Sequence, residues 1–417
     1  MPGEDVPALL SALRAALDGS GPAVLPYESG PAVPRQAAEP IPRRSAEPAS
    51  RRSTERSEWR PPTSVEDERI ALVIETSGST GVPKRVGLSA DALLASARAS
   101  AEWVSIRFAQ STGGKHEAAG GPTGLGQWLL CLPGHYVAGT NVLVRGIHAG
   151  TEPVVMAPGH FDAAGFVAVA ERMTHGERYT SIVPVQLARL VEAAEASTDI
   201  LDALRSFDAM LVGGQALRPE LRAQAEQLGL NIVRTYGSSE TSGGCVYDGV
   251  PIGATRARVG EGGVLELSGP TLASGYLDDP ERTADAFLTD AGGTRWYRTG
   301  DLGEVASDGR VRVLGRADNV IISGGEKVLL DAVERHVKSL PGLADAVVVA
   351  VESAEWGQVP VVVSAAQDVS LADIRASTSA ALGRAAAPAR LLTVDEVPHL
   401  ASGKPDRVAL TRLAASA

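Results

Sequence analysis

Thr76-Ser77-Gly78-Ser79-Thr80-Gly81-Val82-Pro83-Lys84 is a run whose residue types suit one chemistry, the holding of a polyphosphate. It follows the apolar stretch Ile70 to Ile74, so a strand leads into a glycine turn. Glycines let backbone N–H groups approach an anion, the Ser and Thr hydroxyls add donors, and Lys84 adds a positive charge. The nucleoside-triphosphatase P-loop needs Gly-Lys-Ser/Thr at the opening of a helix. Here Lys84 stands between Pro83 and Arg85, so that motif is absent. Taken alone, such a loop also reads as an ordinary turn between strands.

Two further segments each offer a carboxylate. Asn231 to Thr235 reads as a strand and runs into Tyr236-Gly237-Ser238-Ser239-Glu240-Thr241. Mg²⁺ prefers one or two carboxylates with phosphate oxygens, so Glu240 beside phosphate donors suffices for it, and Thr241 suits the α-phosphate. The plainer alternative makes Ser238 or Ser239 a helix cap with Glu240 in the first turn. Trp296-Tyr297-Arg298-Thr299-Gly300-Asp301 precedes the strand-like Leu302 to Val305. The two oxygens of Asp301 match the spacing of vicinal ribose hydroxyls, although a Gly-Asp turn explains the pair equally.

Gly315-Arg316-Ala317-Asp318-Asn319 is a polar junction that can bend, followed by Val320-Ile321-Ile322 and Ser323-Gly324-Gly325-Glu326-Lys327. Ala401-Ser402-Gly403-Lys404-Pro405 displays a lysine among small residues. Such a cation can offset charge that develops as pyrophosphate leaves; a solvated surface lysine is the alternative.

The elements that must position these groups alternate strand with helix, the grammar of an α/β fold. Leu9, Leu10, Leu13 and Leu17 predict an opening helix ending near Gly19, and Ala23 to Tyr27 a short strand. Ser29 to about Ser64, rich in Pro, Ala, Ser, Arg and Glu without period, predicts a mobile linker or surface excursion, with a basic docking segment as the alternative. A helix is expected at Asp91 to Ser100, an exposed loop or lid at Gln110 to Gly126 and a strand at Trp128 to Leu132. After the junction a helix is expected at Val328 to Leu340, strands at Ala344 to Val351 and Val359 to Ala365, and a helix at Leu371 to Leu382. The 417 residues exceed one ordinary core, so a large and a small domain are expected. A formal charge of −11 without a long basic block argues against nucleic-acid binding. Two distant cysteines, Cys131 and Cys245, give no disulfide framework and fit a reducing cytoplasm. No apolar run reaches membrane-spanning length, and Met1 to Leu10 lacks a basic stretch followed by an apolar run, so a soluble, unexported protein is expected.

In their order, these segments resemble the adenylate-forming superfamily of acyl-CoA synthetases, adenylation domains and luciferases, over about residues 65 to 417. Within it, Trp128 to Gly139 (WLLCLPGHYVAG) and Thr235 to Pro251 (TYGSSETSGGCVYDGVP) resemble the short o-succinylbenzoate:CoA ligases of menaquinone biosynthesis. The resemblance implies an α/β fold with a large multi-sheet N-terminal domain, 1–315, and a small mobile α/β C-terminal domain, 316–417. It implies ATP triphosphate on Thr76 to Gly81 and Lys84, Mg²⁺ on Glu240, nucleotide against Tyr236 and Gly237, and adenine beside Gly213-Gly214-Gln215. Ribose is implied on Asp301 and Arg316, and adenylation chemistry at Lys404. Asp318 is implied as a hinge whose rotation turns Gly324-Gly325-Glu326 toward CoA. The implied acid pocket takes in His135, Tyr136, Asn141, Ser239, Gly243, Gly244 and Val246, though a core histidine and a merely packed Cys245 remain open. Arg85 replaces a usual glycine and Ser79 a common threonine. A homodimer is implied by the resemblance alone. Another aryl- or acyl-CoA ligase, a carrier-protein-loading enzyme and a nucleotide-binding regulatory module are the alternatives.

Overall fold

The computed structural model describes residues 1–28, 70–76, 84–109, 123–399 and 405–416. Most of the expected linker, most of the glycine-rich loop at 110–126, Ser77 to Pro83 and Lys404 lie outside the described residues.

In chain order the elements are α1 (Val6–Leu17), β1 (Ile70–Thr76), β2 (Lys84–Ser89), α2 (Ala90–Ala109), β3 (Gln127–Leu130), α3 (Val137–Ala149), β4 (Val154–Val155) and α4 (Ala163–Ala170). There follow β5 (Arg178–Ile182), α5 (Pro184–Ala196), α6 (Thr198–Arg205), β6 (Ala209–Val212), α7 (Pro219–Gln227), β7 (Ile232–Ser238) and β8 (Gly243–Tyr247). Next come β9 (Val250–Pro251), β10 (Arg256–Val259), β11 (Val264–Ser268), β12 (Gly275–Tyr276), α8 (Pro280–Ala286), β13 (Phe287–Thr289), β14 (Arg295–Val305) and β15 (Val311–Arg316). The chain ends with β16 (Val320–Ser323), β17 (Glu326–Leu329), α9 (Leu330–Lys338), β18 (Val347–Ser353), β19 (Gly357–Ser364), α10 (Leu371–Leu382), β20 (Arg390–Thr393) and α11 (Arg407–Ser416).

Contacts divide the chain into two units, Met1–Cys245 with Pro270–Thr283, and Val246–Gly269 with Ala284–Ala417. The first holds a sheet in the order β4-β3-β5-β6-β7, parallel from β4 to β7, with β8 next to β7. Ala209 to Val212 is a short apolar run buried throughout, as a central strand of a parallel sheet requires. Phe166, Leu187, Leu190, Leu204, Phe207 and Met210 belong to one hydrophobic core of this unit. A separate antiparallel sheet, β1-β2-β12, holds the residues on either side of 77–83, with Thr76 opposite Lys84. Helix α1 is capped by Asp5, which accepts from Ala8 N, and buries Leu9 and Leu13 one turn apart.

The second unit holds an antiparallel sheet, β10-β11-β14-β13 with β15 on β14, and a sheet β17-β16-β19-β18 with β20 parallel to β19. Alternation in β18 and β19 serves two cores. Val348 and Val362 face Val333, Val337 and Ile374, whereas Val347, Val349, Val361 and Val363 face Leu410 and Ala414. The expected boundary at 315/316 falls inside this unit, at the last residue of β15.

Several local expectations are corrected. Ala23 to Tyr27 is no strand; only the isolated bridges Val24 to Leu72 and Tyr27 to Pro2 form, because Pro22 and Pro26 carry no N–H for a ladder. The helix expected from Val328 begins at Leu330, since Val328 and Leu329 still pair in β17 with Ile321 and Val320. Tyr236 and Gly237 belong to β7 rather than a loop, and Trp296 to Asp301 lies within the long β14.

Candidate functional site

In the first unit the strands β6 and β7 run parallel as neighbours, so Gly213-Gly214-Gln215 and Tyr236 to Thr241 emerge at one carboxyl edge of the sheet. Ligands of open α/β sheets bind at such edges. Gly214 has φ +82°, and a side chain on Gly213 would meet Thr235 Oγ1 at 2.4 Å, so this turn admits backbone where bulkier residues would not fit. Ser239 and Glu240 are buried in a single 3₁₀ turn that follows β7.

Glu240 is only 6 % exposed. Its Oε1 accepts from Tyr276 Oη at 2.9 Å and its backbone carbonyl from Ala273 N at 2.8 Å. Among the described residues no hydrogen bond reaches Oε2. Lys84 Nζ lies 5.4 Å from the centre of the Tyr276 ring. The expected phosphate lysine and metal carboxylate therefore meet on the two ends of one tyrosine, a residue the sequence reading did not single out.

Thr241 Oγ1 accepts from Ser238 N at 2.9 Å and donates to Gly243 O at 2.7 Å, so the hydroxyl expected on an α-phosphate here closes its own turn. Ser242 is buried in the left-handed region at φ +52°. Its carbonyl accepts from Ser96 Oγ and Asn141 Nδ2, and its hydroxyl donates to Thr271 O. Asn141 thus reaches the small-residue wall, but through backbone. A side chain on Gly243 would come within 2.1 Å of Asn141 Nδ2, and one on Gly237 within 2.0 Å of Gly243 O. Gly244 continues the wall half-buried, and Val246 is buried in β8, which carries the chain into the second unit.

His135 and Tyr136 precede α3 with ring centres 4.2 Å apart. Among the described residues neither ring nitrogen of His135 is hydrogen-bonded, and the ring packs under Gly3. Burial lowers the His135 pKa against the opposing charges of Glu28 and Glu4, while burial raises that of Tyr136. One turn beyond Asn141, Arg145 is 6 % exposed, donates to Ser181 Oγ at 3.3 Å and lies 4.9 Å from the Trp128 ring. This buried guanidinium was missed; its signal was an Asn/Arg pair four apart on a largely apolar helix. Burial pushes the Cys131 and Cys245 thiols up to about 12, which suits packing and not nucleophilic attack.

In the second unit Asp301 and Arg316 stand opposite each other on β14 and β15. Arg316 donates to Asp301 Oδ1 at 3.4 Å, to Thr299 O at 3.3 Å, and to both oxygens of Asp318 at 3.2 and 3.3 Å. Burial lowers the guanidinium pKa, but the hydrogen bond to Asp318 and the charges of Asp301 and Asp318 outweigh it and raise it. Gly300, at φ +73°, lies beneath the guanidinium. Asp331 Oδ2 accepts from Arg316 N at 3.1 Å and from Asn319 Nδ2 at 2.9 Å, so it brackets Asp318. Gly324 and Gly325 both have positive φ in the tight turn joining β16 to β17, and Gly324 presses on the Trp356 ring. Glu326 is exposed at the start of β17. The segment carrying Lys404 is flanked by the bridge His399 to Pro405, and Arg407 is held by Glu334 Oε2 at 2.6 Å and Val348 O at 2.9 Å.

The donor set suits magnesium better than a transition metal. Among the described residues no group of three or more His, Cys, Asp or Glu gathers, while a lone buried carboxylate with one uncommitted oxygen is what Mg²⁺ on phosphate requires. None of the described helices is long and apolar enough to cross a membrane.

The family model for AMP-binding enzymes matches residues 29–277, and that for the AMP-binding enzyme C-terminal domain matches residues 332–404. A probable 2-succinylbenzoate--CoA ligase of Mycobacterium tuberculosis is 40 % identical over 354 residues, covering 83 % of this chain and 85 % of that protein. The 2-succinylbenzoate--CoA ligase of Geobacillus kaustophilus is 31 % identical, covering 83 % of this chain and 70 % of its own length. The o-succinylbenzoate CoA synthetase of Bacillus subtilis, solved with the acyl-adenylate OSB-AMP, superposes with a TM-score of 0.68 at 25 % identity, over 82 % of this chain and 69 % of that one. With more than half its length matched by the first model, the chain belongs to the AMP-binding enzyme family.

Proposed function

We propose that the chain is an AMP-forming acid:CoA ligase that converts o-succinylbenzoate, ATP and CoA to o-succinylbenzoyl-CoA through an acyl-adenylate. The observation that carries the reading is the buried Glu240, tied to Lys84 through Tyr276 beside the strand pair β1-β2. A carboxylate so buried, with one oxygen uncommitted, calls for a cation.

The acid's carboxylate attacks the α-phosphorus in line, and no side-chain nucleophile is needed because the attacking group is already an anion. Lys84 and the hydroxyl turn hold the leaving pyrophosphate. Bound magnesium, held by Glu240, supplies charge neutralisation to the phosphates. Lys404 steadies the charge on the α-phosphate and carboxylate. Residues 316–417 then turn about Asp318, withdrawing Lys404 and presenting Gly324-Gly325-Glu326 to CoA, whose thiol displaces AMP.

Pyrophosphate release with o-succinylbenzoate, benzoate, a fatty acid and amino acids tests the substrate, and acid-dependent labelling of a phosphopantetheinyl protein would reveal carrier loading instead. Lys404→Ala loses adenylation and keeps thioester formation from supplied adenylate. Equal loss of both halves would sink the rotation.

A further inference from the structure

Glu240 and Lys84 lie on different elements, and something must set the distance between a carboxylate serving a cation and an ammonium serving the phosphates. Tyr276 touches both. Its hydroxyl donates to Glu240 Oε1 at 2.9 Å in a buried bond, and its face receives Lys84 Nζ at 5.4 Å. We propose that Tyr276 is the positioning residue of the phosphate site, holding Glu240 to one-oxygen binding of a divalent cation while seating the Lys84 ammonium on its ring.

The backbone around Tyr276 is fastened at every step. Tyr276 pairs with Val86 on β2, the strand that Lys84 opens. Ser274 N donates to Gly87 O at 2.9 Å, Leu277 N to Arg85 O at 2.8 Å, and Ala273 N to Glu240 O at 2.8 Å. Thr283 Oγ1 accepts from Tyr276 N at 2.9 Å. Gly275 has φ +154°, and a side chain there would strike Thr283 Cγ2 at 2.6 Å, so the chain reaches Tyr276 only through a glycine. The ring is thereby fixed relative to both β2 and the turn of Glu240.

The chemistry follows from the two oxygens of Glu240. A phenol O–H on Oε1 fixes the carboxylate plane and leaves Oε2 to face a divalent cation, which Glu240 would hold and which would supply charge neutralisation to the phosphates. Partners that orient a metal ligand typically contribute about 10–100-fold in metal affinity or activity. A cation over an aromatic face adds a weaker attraction, which restrains Lys84 without neutralising it.

The inference rests on Glu240 serving a cation in the proposed reaction, and its test reads the cation directly. Mn²⁺ binding to the enzyme·ATP complex is titrated by its paramagnetic signal, without any acid substrate, for the wild type, Tyr276→Phe, Tyr276→Leu and Glu240→Gln. Tyr276→Phe deletes one oxygen and keeps the ring; it should weaken Mn²⁺ binding roughly 10-fold or more. In turnover it should raise the Mg²⁺ concentration needed for half-maximal pyrophosphate release, with kcat recovering at saturating Mg²⁺. Tyr276→Leu, which also removes the face under Lys84, should in addition raise KM for Mg·ATP. Thioester formation from supplied adenylate should stay unchanged in both. Unaltered Mn²⁺ binding in Tyr276→Phe, or equal losses in the two half-reactions, would overturn the proposal and leave Tyr276 a packing residue. Failure of the reaction reading is separable: a wild type that binds Mn²⁺ with ATP through Glu240 yet activates no acid leaves the Tyr276 test intact.

Discussion

Glu240 and Asp318 are both carboxylates within polar motifs, yet their settings are opposite. Glu240 is 6 % exposed and fastened by a buried phenol and an N–H. The Asp318 side chain is 55 % exposed, and its partner Arg316 is shared with Asp301 and with Thr299 O. A buried carboxylate loses its hydration and has few alternatives to its built partners, so its geometry persists. An exposed one can exchange partners with water at little cost, since surface ion pairs contribute about 0–1 kcal/mol. The first arrangement suits a group that must be in place before a substrate arrives. The second suits a joint whose contacts are remade within one catalytic cycle.

The largest effect expected from this contrast is at Glu240. Glu240→Gln keeps the shape and removes the charge, and pyrophosphate release should fall about 10²- to 10³-fold, the scale for one preorganised charge-stabilising group. A fall below tenfold would mean that burial at Glu240 is packing alone. Next comes a buried carboxylate that serves structure. Glu334 in α9 binds Lys338 Nζ at 2.7 Å, Arg407 Nη2 at 2.6 Å and Val348 N at 3.1 Å. Burial pushes its pKa up, but Lys338, Arg407 and the Val348 N–H outweigh burial and hold it below the ordinary carboxylate range. A depressed folded-state pKa contributes stability above the unfolded value of about 4.5 and loses it as pH falls through the lower folded value. Glu334→Gln should therefore cost roughly 2–3 kcal/mol near neutral pH, discounted for the partly exposed cations, and little in strong acid. Denaturant melts at both pH values check it, and an equal cost at each would refute the charge account.

Much of this contrast was legible in the residues and some was not. Motif order singled out Lys84, Glu240, Asp301 and Arg316 as candidates, and the period of Leu9, Leu10 and Leu13 placed α1, because both signals are local. Tyr276 escaped because its partner lies 36 positions earlier and the ring sits in a two-residue strand with no period to notice. Arg145 escaped because a helix of apolar residues hides which face is buried until the sheet beneath it is known. The early start given to α9 has a different cause. Val328 and Leu329 suit either element, and the choice is made by the turn at Gly324-Gly325, which sets the register of β17 against β16. The same local blindness applies to Asp331, which reads as a first-turn acidic residue of α9 and turns out to bracket Asp318.

Asp331 gives the next smaller effect and sharpens the contrast within the junction. Its contact with Arg316 N precedes Asp318 and that with Asn319 Nδ2 follows it, so rotation about Asp318 must alter at least one of them. Asp331→Ala removes an acceptor from a half-buried site, a change of about 1 kcal/mol, or roughly fivefold in the balance of two arrangements. Measured separately, adenylation and thioester formation should shift in ratio by that factor while thermal stability barely moves. Unequal half-reactions with an unchanged melt mark a joint, whereas a lowered melt with both halves intact marks a cap on α9.

The smallest effect concerns screening. Raising ionic strength from about 0.1 M to about 1 M shortens the screening length from about 10 Å to about 3 Å, which weakens exposed charges far more than buried ones. The Arg316–Asp318 pair, with side chains 47 % and 55 % exposed, should respond; the Glu240–Tyr276 bond, being buried and involving a neutral donor, should not. The ratio of half-reactions in the wild type should therefore drift by at most about twofold with added KCl, in line with a surface pair of 0–1 kcal/mol. In Asp318→Asn that drift should vanish. Mn²⁺ affinity in the presence of ATP also falls with salt, because ATP itself is charged, so the informative comparison is between Tyr276→Phe and wild type at each ionic strength. If their difference stays constant while the half-reaction ratio moves, the two carboxylates differ as their burial requires. If the Tyr276 difference shrinks with salt, Glu240 is wetter in solution than its 6 % exposure implies, and the contrast between a fixed group and an exchangeable one fails at its stronger end.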